Sequence, residues 1–169
     1  MRRTLTVAVL VILAVALLAA LPSVAKSAVS LTSDEAAVIA AVNQVRLERG
    51  LPKLRARASL VRAARAHARD MAQHSYFSHT SRDGASVGDR VRSSGYRRSG
   101  YSVWSVGETL ARVDDGGDAL DAEAVVAGWM ASPSHKRVIL RRSFRDFGVG
   151  LSVTDERYLV ALDVGRRIN

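Results

Sequence analysis

The sequence predicts an α+β domain in which helices are layered against an antiparallel sheet. Apolar residues recur at helical spacing through residues 36–47 and 60–71, whereas two apolar runs near the end, 147–153 and 158–164, are typical of strands. Helices come first and strands last, without the regular alternation that a parallel sheet requires. A chain of 169 residues is typical of one domain.

The first 25 residues have the pattern of a secretory leader. Arg2 and Arg3 precede a run without charge from Leu5 to Leu21, and the small residues of Ser23-Val24-Ala25 suit a signal peptidase. The apolar run also approaches the length of a spanning helix, so an uncleaved anchor is an alternative. We therefore expect a domain that lies outside the cytoplasm, either secreted or anchored by this segment.

The expected division of the chain follows from that leader. Residues 1–25 form a signal peptide or anchor, residues 26–30 a short linker, and residues 31–169 one domain. The part beyond Ala25 is long enough to bury one hydrophobic core.

Composition excludes several classes of function. The chain has no cysteine, which rules out thiol nucleophiles, thiolate metal sites and disulfides. The net charge of +9 is spread along the chain, as on a solvated surface, with attraction to anionic lipids or envelope polymers as the alternative. Export and the few aromatic residues argue against nucleic acid as a partner.

The first helix has a clear start and end. Thr32 and Glu35 form a capping box, and Gly50 ends the helix. Asn43 and Arg46, one turn apart, are predicted to tie it to a loop by hydrogen bonds.

The remaining elements follow in order along the chain. We expect an extended connection at 51–54, a helix over 59–73, a loop-rich stretch over 74–104 with a short helix near 87–92, a strand over 106–113, a turn over 114–118, a helix over 119–131 that Pro133 stops, and a closing hairpin of strands 147–153 and 158–164 with its turn at 155–156.

Two of the four histidines stand out by their setting. His79 lies at the start of a loop that Tyr76 and Phe77 anchor, and His135 begins a short helical turn after a proline. His67 and His74 are interpreted as structural, the first on a helix face and the second near a helix C-terminus.

Glu108 lies in an apolar stretch, where a carboxylate needs a partner if it is buried. It either orients a histidine or acts as an acid or base, or it faces outward from a half-buried strand. Two histidines and a carboxylate can hold a divalent metal, although no local metal-binding motif is present.

Five short motifs follow one another along the chain. They are Val42-Asn43-Gln44-Val45-Arg46, Phe77-Ser78-His79, Val106-Gly107-Glu108, Trp129-Met130-Ala131-Ser132-Pro133-Ser134-His135 and Phe147-Gly148-Val149-Gly150. Their order resembles the bacterial branch of the CAP superfamily, the cysteine-rich secretory, antigen 5 and pathogenesis-related proteins, whose domain is also called SCP.

The resemblance implies a three-layer α-β-α sandwich with a central antiparallel sheet and a cleft that holds two histidines and acidic residues. On this chain these are His79, His135 and Glu108. The animal and plant branch has a second glutamate where this chain has Ser132, and the family usually has asparagine where this chain has Thr109. A mechanism that needs paired carboxylates is weakened by that change.

Three functions are compatible with these features. The first is a non-catalytic, monomeric exported protein that binds a divalent cation, Zn²⁺ first, through His79 and His135 with Glu108 in or next to the coordination shell, and that recognises a lipid, sterol-like or cell-envelope ligand. The second is a metal-dependent hydrolase of the same cleft, with Glu108 as general base. The third is a lipid- or surface-binding module that uses the basic surface and the 81–104 loop.

Overall fold

The computed structural model describes residues 29–114, 119–154 and 157–169. The elements in chain order are α1 Ser33–Leu47, β1 Arg55–Ala56, α2 Ala58–Gln73, α3 Val87–Ser93, β2 Val103–Asp114, α4 Ala122–Ala131, α5 Pro133–Ile139, β3 Asp146–Val153 and β4 Arg157–Ile168.

The sheet has the strand order β1-β3-β4-β2. The long strand β4 pairs antiparallel with both β3 and β2, while the two residues of β1 pair parallel with β3. Helices α1, α4 and α5 pack on one face, and α2 and α3 pack on the other. The predicted three-layer α+β sandwich is confirmed, with β1 as a small parallel exception to the antiparallel sheet.

Two glycines in β3 let α2 lie directly on the sheet. A Cβ atom at Gly148 would lie 2.0 Å from the Leu60 carbonyl carbon, and one at Gly150 would lie 2.2 Å from the Arg65 nitrogen. Any side chain at these positions would push the helix backbone away from the strand. The close contact of α2 with β3 therefore depends on the absence of side chains there.

The ends of several elements follow their capping residues. The Thr32–Glu35 capping box begins α1 as predicted. Helix α4 begins at Ala122 and not at Ala119, because the Asp121 side chain accepts a hydrogen bond from the Ala124 amide. Pro133 ends α4 as predicted and also occupies the first turn of α5.

Strand β2 is longer than the predicted 106–113. It starts at Val103, because all twelve of its residues pair with β4. The predicted closing hairpin is present as β3 and β4.

The predicted tethers of α1 are also present. Asn43 exchanges two hydrogen bonds with the backbone of Leu54. The fully buried Arg46 donates to the carbonyls of Pro52, Ile139 and Phe144. Because Ile139 ends α5, Arg46 fixes that helix against α1.

The leader over residues 1–25 and the predicted turns at 115–118 and 155–156 lie outside the described residues. In the part that is described, none of the helices is long and apolar enough to cross a membrane. A chain that starts at Lys26 contains every helix and strand that the structure describes, together with the core between them.

Candidate functional site

His79 and His135 meet beside β2, the strand at one edge of the sheet. They come from opposite layers, since His79 follows α2 and His135 lies in α5. Their ring centroids are 6.5 Å apart, and the ring planes are inclined by 60°. The fold thus brings together two histidines that are far apart in sequence.

Glu108 supports this pair from within the sheet. Its side chain is only 2% exposed. The His79 Nδ1 lies 2.7 Å from Oε1, and the Arg90 Nη2 donates to Oε2 at 2.5 Å. Glu108 is therefore a buried and paired carboxylate, not an outward-facing residue of a half-buried strand.

Arg90 is a part of the site that the sequence analysis missed. It lies in α3, and its Nη1 also donates to the carbonyls of His79 and Ala85. One guanidinium thus neutralises Glu108 and fixes the backbone of the His79 loop. Nothing in the sequence distinguishes Arg90 from the other arginines of the loop-rich stretch.

His67 is the buried structural histidine that the helical spacing predicted, but it also contacts the site. Its ring is 1% exposed. Its Nε2 donates to the Ser78 carbonyl at 2.9 Å and lies 3.9 Å from the Glu108 Oε2. Burial, as the main cause, lowers the pKa of His67. A neutral His67 therefore holds the residue before His79 in place.

His74 is the C-cap of α2, close to its predicted place near that helix C-terminus. Its Nδ1 contacts the backbone and side chain of Asp70, away from Glu108.

Asp163 is a second acidic residue of this region that was not predicted. It pairs with Glu108 in the register of β2 and β4 and is completely buried. Burial, followed by the negative charge of Glu108, raises its pKa well above the usual value. An aspartate within the apolar run of β4 is the signal that could have identified it.

The charges of the site differ from residue to residue. Burial favours the neutral form of Glu108, but the hydrogen bond from His79 and the charge of Arg90 outweigh it, so the pKa of Glu108 lies below its usual value. The hydrogen bond to Glu108 raises the pKa of His79. Burial and the nearby His79 lower the pKa of His135. His135 is therefore the more readily deprotonated of the two cleft histidines.

His79 and His135 could supply two imidazole ligands to a divalent cation. His79 uses Nδ1 for Glu108, which leaves Nε2 free for a metal, and ligating histidines usually have such a carboxylate partner. Two imidazoles on one tetrahedral zinc have ring centroids about 5 Å apart, so the exposed His79 ring would have to move by about 1 Å. The described residues contain no ready cluster of three histidine, aspartate or glutamate ligands.

Ser132, where the animal and plant branch has a second glutamate, offers a hydroxyl group instead of a carboxylate. Its Oγ lies 3.0 Å from the Ser134 Oγ, just before His135. Among the described residues, Glu108 is thus the carboxylate that contacts the cleft histidine His79.

The sequence matches one family model and is similar to two proteins of Bacillus subtilis. The model of the cysteine-rich secretory protein family, CAP, matches residues 39–162. The uncharacterized protein YkwD of Bacillus subtilis is 32% identical over 121 residues, which are 72% of this chain and 43% of that protein. The uncharacterized membrane protein YlbC of the same organism is 28% identical over 127 residues, 75% of this chain and 33% of that protein. The chain thus spans less than half the length of these relatives.

Solved structures show the same fold. An outer surface protein of Borrelia burgdorferi superposes with a TM-score of 0.67 at 19% identity, covering 82% of this chain and 96% of that one. An extracellular protein of Bacillus anthracis that contains an SCP domain has a TM-score of 0.58 at 25% identity, covering 80% of this chain and 44% of that one.

Proposed function

The chain belongs to the cysteine-rich secretory protein (CAP) family, and from that premise we propose that it is an exported binding protein whose cleft holds a divalent cation, Zn²⁺ first. The ligands would be His79 Nε2 and a ring nitrogen of His135. The observation that carries the proposal is the 2.7 Å contact between His79 Nδ1 and Glu108. This contact fixes the orientation of the ring and leaves Nε2 available for a metal ion.

Glu108 acts in this proposal as the partner that orients His79. Both of its oxygens are engaged, one by His79 and the other by Arg90. A bound Zn²⁺ would supply a positive centre to which an anionic or carbonyl group of an envelope ligand, such as a lipid or a sterol-like molecule, could bind. The coordination positions not used by the two imidazoles would be open to that ligand.

The same contacts favour binding over hydrolysis. A general base in the cleft needs a carboxylate oxygen that reaches a bound water. Glu108 would have to release Arg90 or His79 to do this. If the protein is a hydrolase with Glu108 as general base, the original protein should turn over a substrate and Glu108→Gln should abolish that turnover. The binding proposal expects no turnover in the original protein or in the variant.

The proposed location is outside the cytoplasm. The leader pattern of residues 1–25 supports export. Two proteins of the same fold are described as an outer surface protein and as an extracellular protein, which agrees with this location. The mass of the mature N-terminus tests separately whether the leader is removed or stays as an anchor.

The test is a Zn²⁺ titration by calorimetry of the chain Lys26–Asn169 at about pH 7.5, where imidazole is mostly neutral. We expect saturable binding at one site, which His79→Ala/His135→Ala removes. His74→Ala is the matched control, because His74 lies at the end of α2 and contacts Asp70, not Glu108. A folded protein that binds no Zn²⁺, or a double variant that binds as well as the original, would rule the proposal out.

A further inference from the structure

A basic surface covers α5 and the turn that follows it. Its five exposed cationic side chains are Lys136, Arg137, Arg141, Arg142 and Arg145. The sequence has no acidic residue between Glu123 and Asp146. Within the described part of the chain, none of the five forms an ion pair with a carboxylate.

The cations of this basic surface differ from three arginines elsewhere on the sandwich. Arg57, Arg65 and Arg90 are each paired with a carboxylate. Arg145 donates to the backbone carbonyls of Arg142 and Phe144, which holds the turn together but leaves its charge uncompensated. Five exposed cations therefore lie within residues 136–145, a stretch that contains no acidic residue.

An apolar groove opens between two of these cations. Arg137 and Arg141 stand at the groove, and the Arg141 guanidinium lies 4.9 Å from the centroid of the Phe144 ring. The groove has a volume of about 520 Å³, and its other lining residues are Val106, Gly107, Val138 and Leu140. The space depends on Gly107, because a Cβ atom there would lie 3.2 Å from Val138.

We propose that the basic surface and its groove dock the domain on anionic phospholipid at a membrane surface. Phosphate headgroups would bind the guanidinium groups of Arg137 and Arg141, and acyl carbon would enter the groove beside Phe144. An anionic polymer of the envelope could bind the cationic side chains but has no acyl chain to fill the apolar groove. Because the cations and the groove lie side by side, a phospholipid fits this surface better.

This docking site is separate from the cation proposed in the cleft and does not depend on it. Of the two features that the third function uses, the basic surface and the 81–104 loop, it uses only the first and places it on α5 and the turn that follows. Because His135 lies in the same helix as Arg137, docking would bring the cleft close to the membrane.

The test measures binding of the chain Lys26–Asn169, which lacks the apolar leader, to vesicles by flotation at low salt. One set of vesicles contains phosphatidylglycerol, and the other is pure phosphatidylcholine. We expect binding to the anionic set alone. Arg137→Gln/Arg141→Gln should weaken it about 25-fold, since each arginine near an anionic surface contributes about a fivefold factor.

Arg82→Gln/Arg98→Gln is the matched control, because it removes the same charge from exposed positions of the 81–104 loop. It should keep nearly all of the binding. An equal loss in this control would show that net charge or the loop carries the interaction and would overturn the proposal. Equal binding to neutral vesicles, or binding of soluble polyphosphate without any binding of vesicles, would overturn it as well.

Discussion

Glu108 and Asp163 lie opposite each other in the register of β2 and β4, and their pKa values are shifted in opposite directions, downward for Glu108 and upward for Asp163. Glu108 has Arg90 and His79 as partners, which outweigh the effect of its burial. Asp163 is completely buried and faces the negative charge of Glu108. The raised pKa of Asp163 favours its protonated form, which reduces the repulsion between two adjacent carboxyl groups in the sheet interior.

Asp163→Asn should change how stability depends on pH. The folded-state pKa of Asp163 is raised, so the folded protein keeps a proton that the unfolded chain releases above the ordinary value of 3.8. Stability is therefore lost as pH rises from that value toward the folded-state pKa. The neutral asparagine lacks this loss, so the variant should gain stability relative to the original protein as pH rises. Urea unfolding at several pH values measures this, and parallel curves for the two proteins would contradict it.

Arg90→Met should destabilise the fold by about 3 kcal/mol, because it removes the guanidinium charge beside the buried Glu108 and leaves only the hydrogen bond from His79 to stabilise that carboxylate. Arg92→Met is the control from the same helix. Its guanidinium pairs with Asp89 at the surface, where both side chains are about half exposed, and such a pair contributes less than about 1 kcal/mol. Chemical unfolding at neutral pH compares them, and similar losses in both variants would argue against a special role for Arg90.

Glu108→Gln should lower the pKa of His79 toward its ordinary value of 6.5, because the hydrogen bond to Glu108 is the main cause that raises it. In the original protein this interaction stabilises the fold fully below the unfolded-state pKa and is lost as pH rises through the folded-state pKa. An NMR titration of the histidine rings measures the change. The control is Glu123→Gln at the start of α4, which should leave the His79 titration unchanged. If the pKa of His79 is the same in Glu108→Gln as in the original protein, the contact between the two residues is disproved.

Gly148→Ala should destabilise the domain by about 3 kcal/mol or prevent folding, because the new Cβ atom would overlap the backbone of α2. Gly128→Ala is the matched control, since a Cβ atom there has open space within α4. Alanine in a helix is favoured over glycine by about 1 kcal/mol, so the control should be as stable as the original or more stable. Thermal unfolding of both variants measures the difference. If Gly148→Ala is as stable as the original protein, α2 can move away from the sheet and the prediction is wrong.

The parts of the fold that local rules govern could be predicted. The capping box at Thr32 and the turn at Pro133 fix helix ends through contacts within a few residues. The start of α4 was misplaced by three residues, because Asp121 and not the earlier turn residues caps it. The length of β2 was also underestimated, since pairing with β4 and not the composition of the strand decides where it starts.

The resemblance predicted the three site residues His79, Glu108 and His135. The residues that surround Glu108 could not be predicted in the same way, because tertiary contacts bring them there. Arg90 comes from α3 and His67 from α2, and neither has a local signal that links it to Glu108. Asp163 did have a signal, an acidic residue in an apolar strand, and the pairing of β2 with β4 was needed to place it beside Glu108.

The most direct measurement of the central claim is a Zn²⁺ titration followed by NMR of the ring nitrogens of all four histidines in the chain Lys26–Asn169. The account predicts that His79 and His135 respond together and saturate together, that His79 keeps its proton on Nδ1 toward Glu108, and that His67 and His74 do not change. Because the hydrogen bond to Glu108 raises the pKa of His79 above its usual 6.5, binding should begin to weaken above that value as pH falls. No response of His79 and His135, or a response of His74 alone, would contradict the cation-binding cleft.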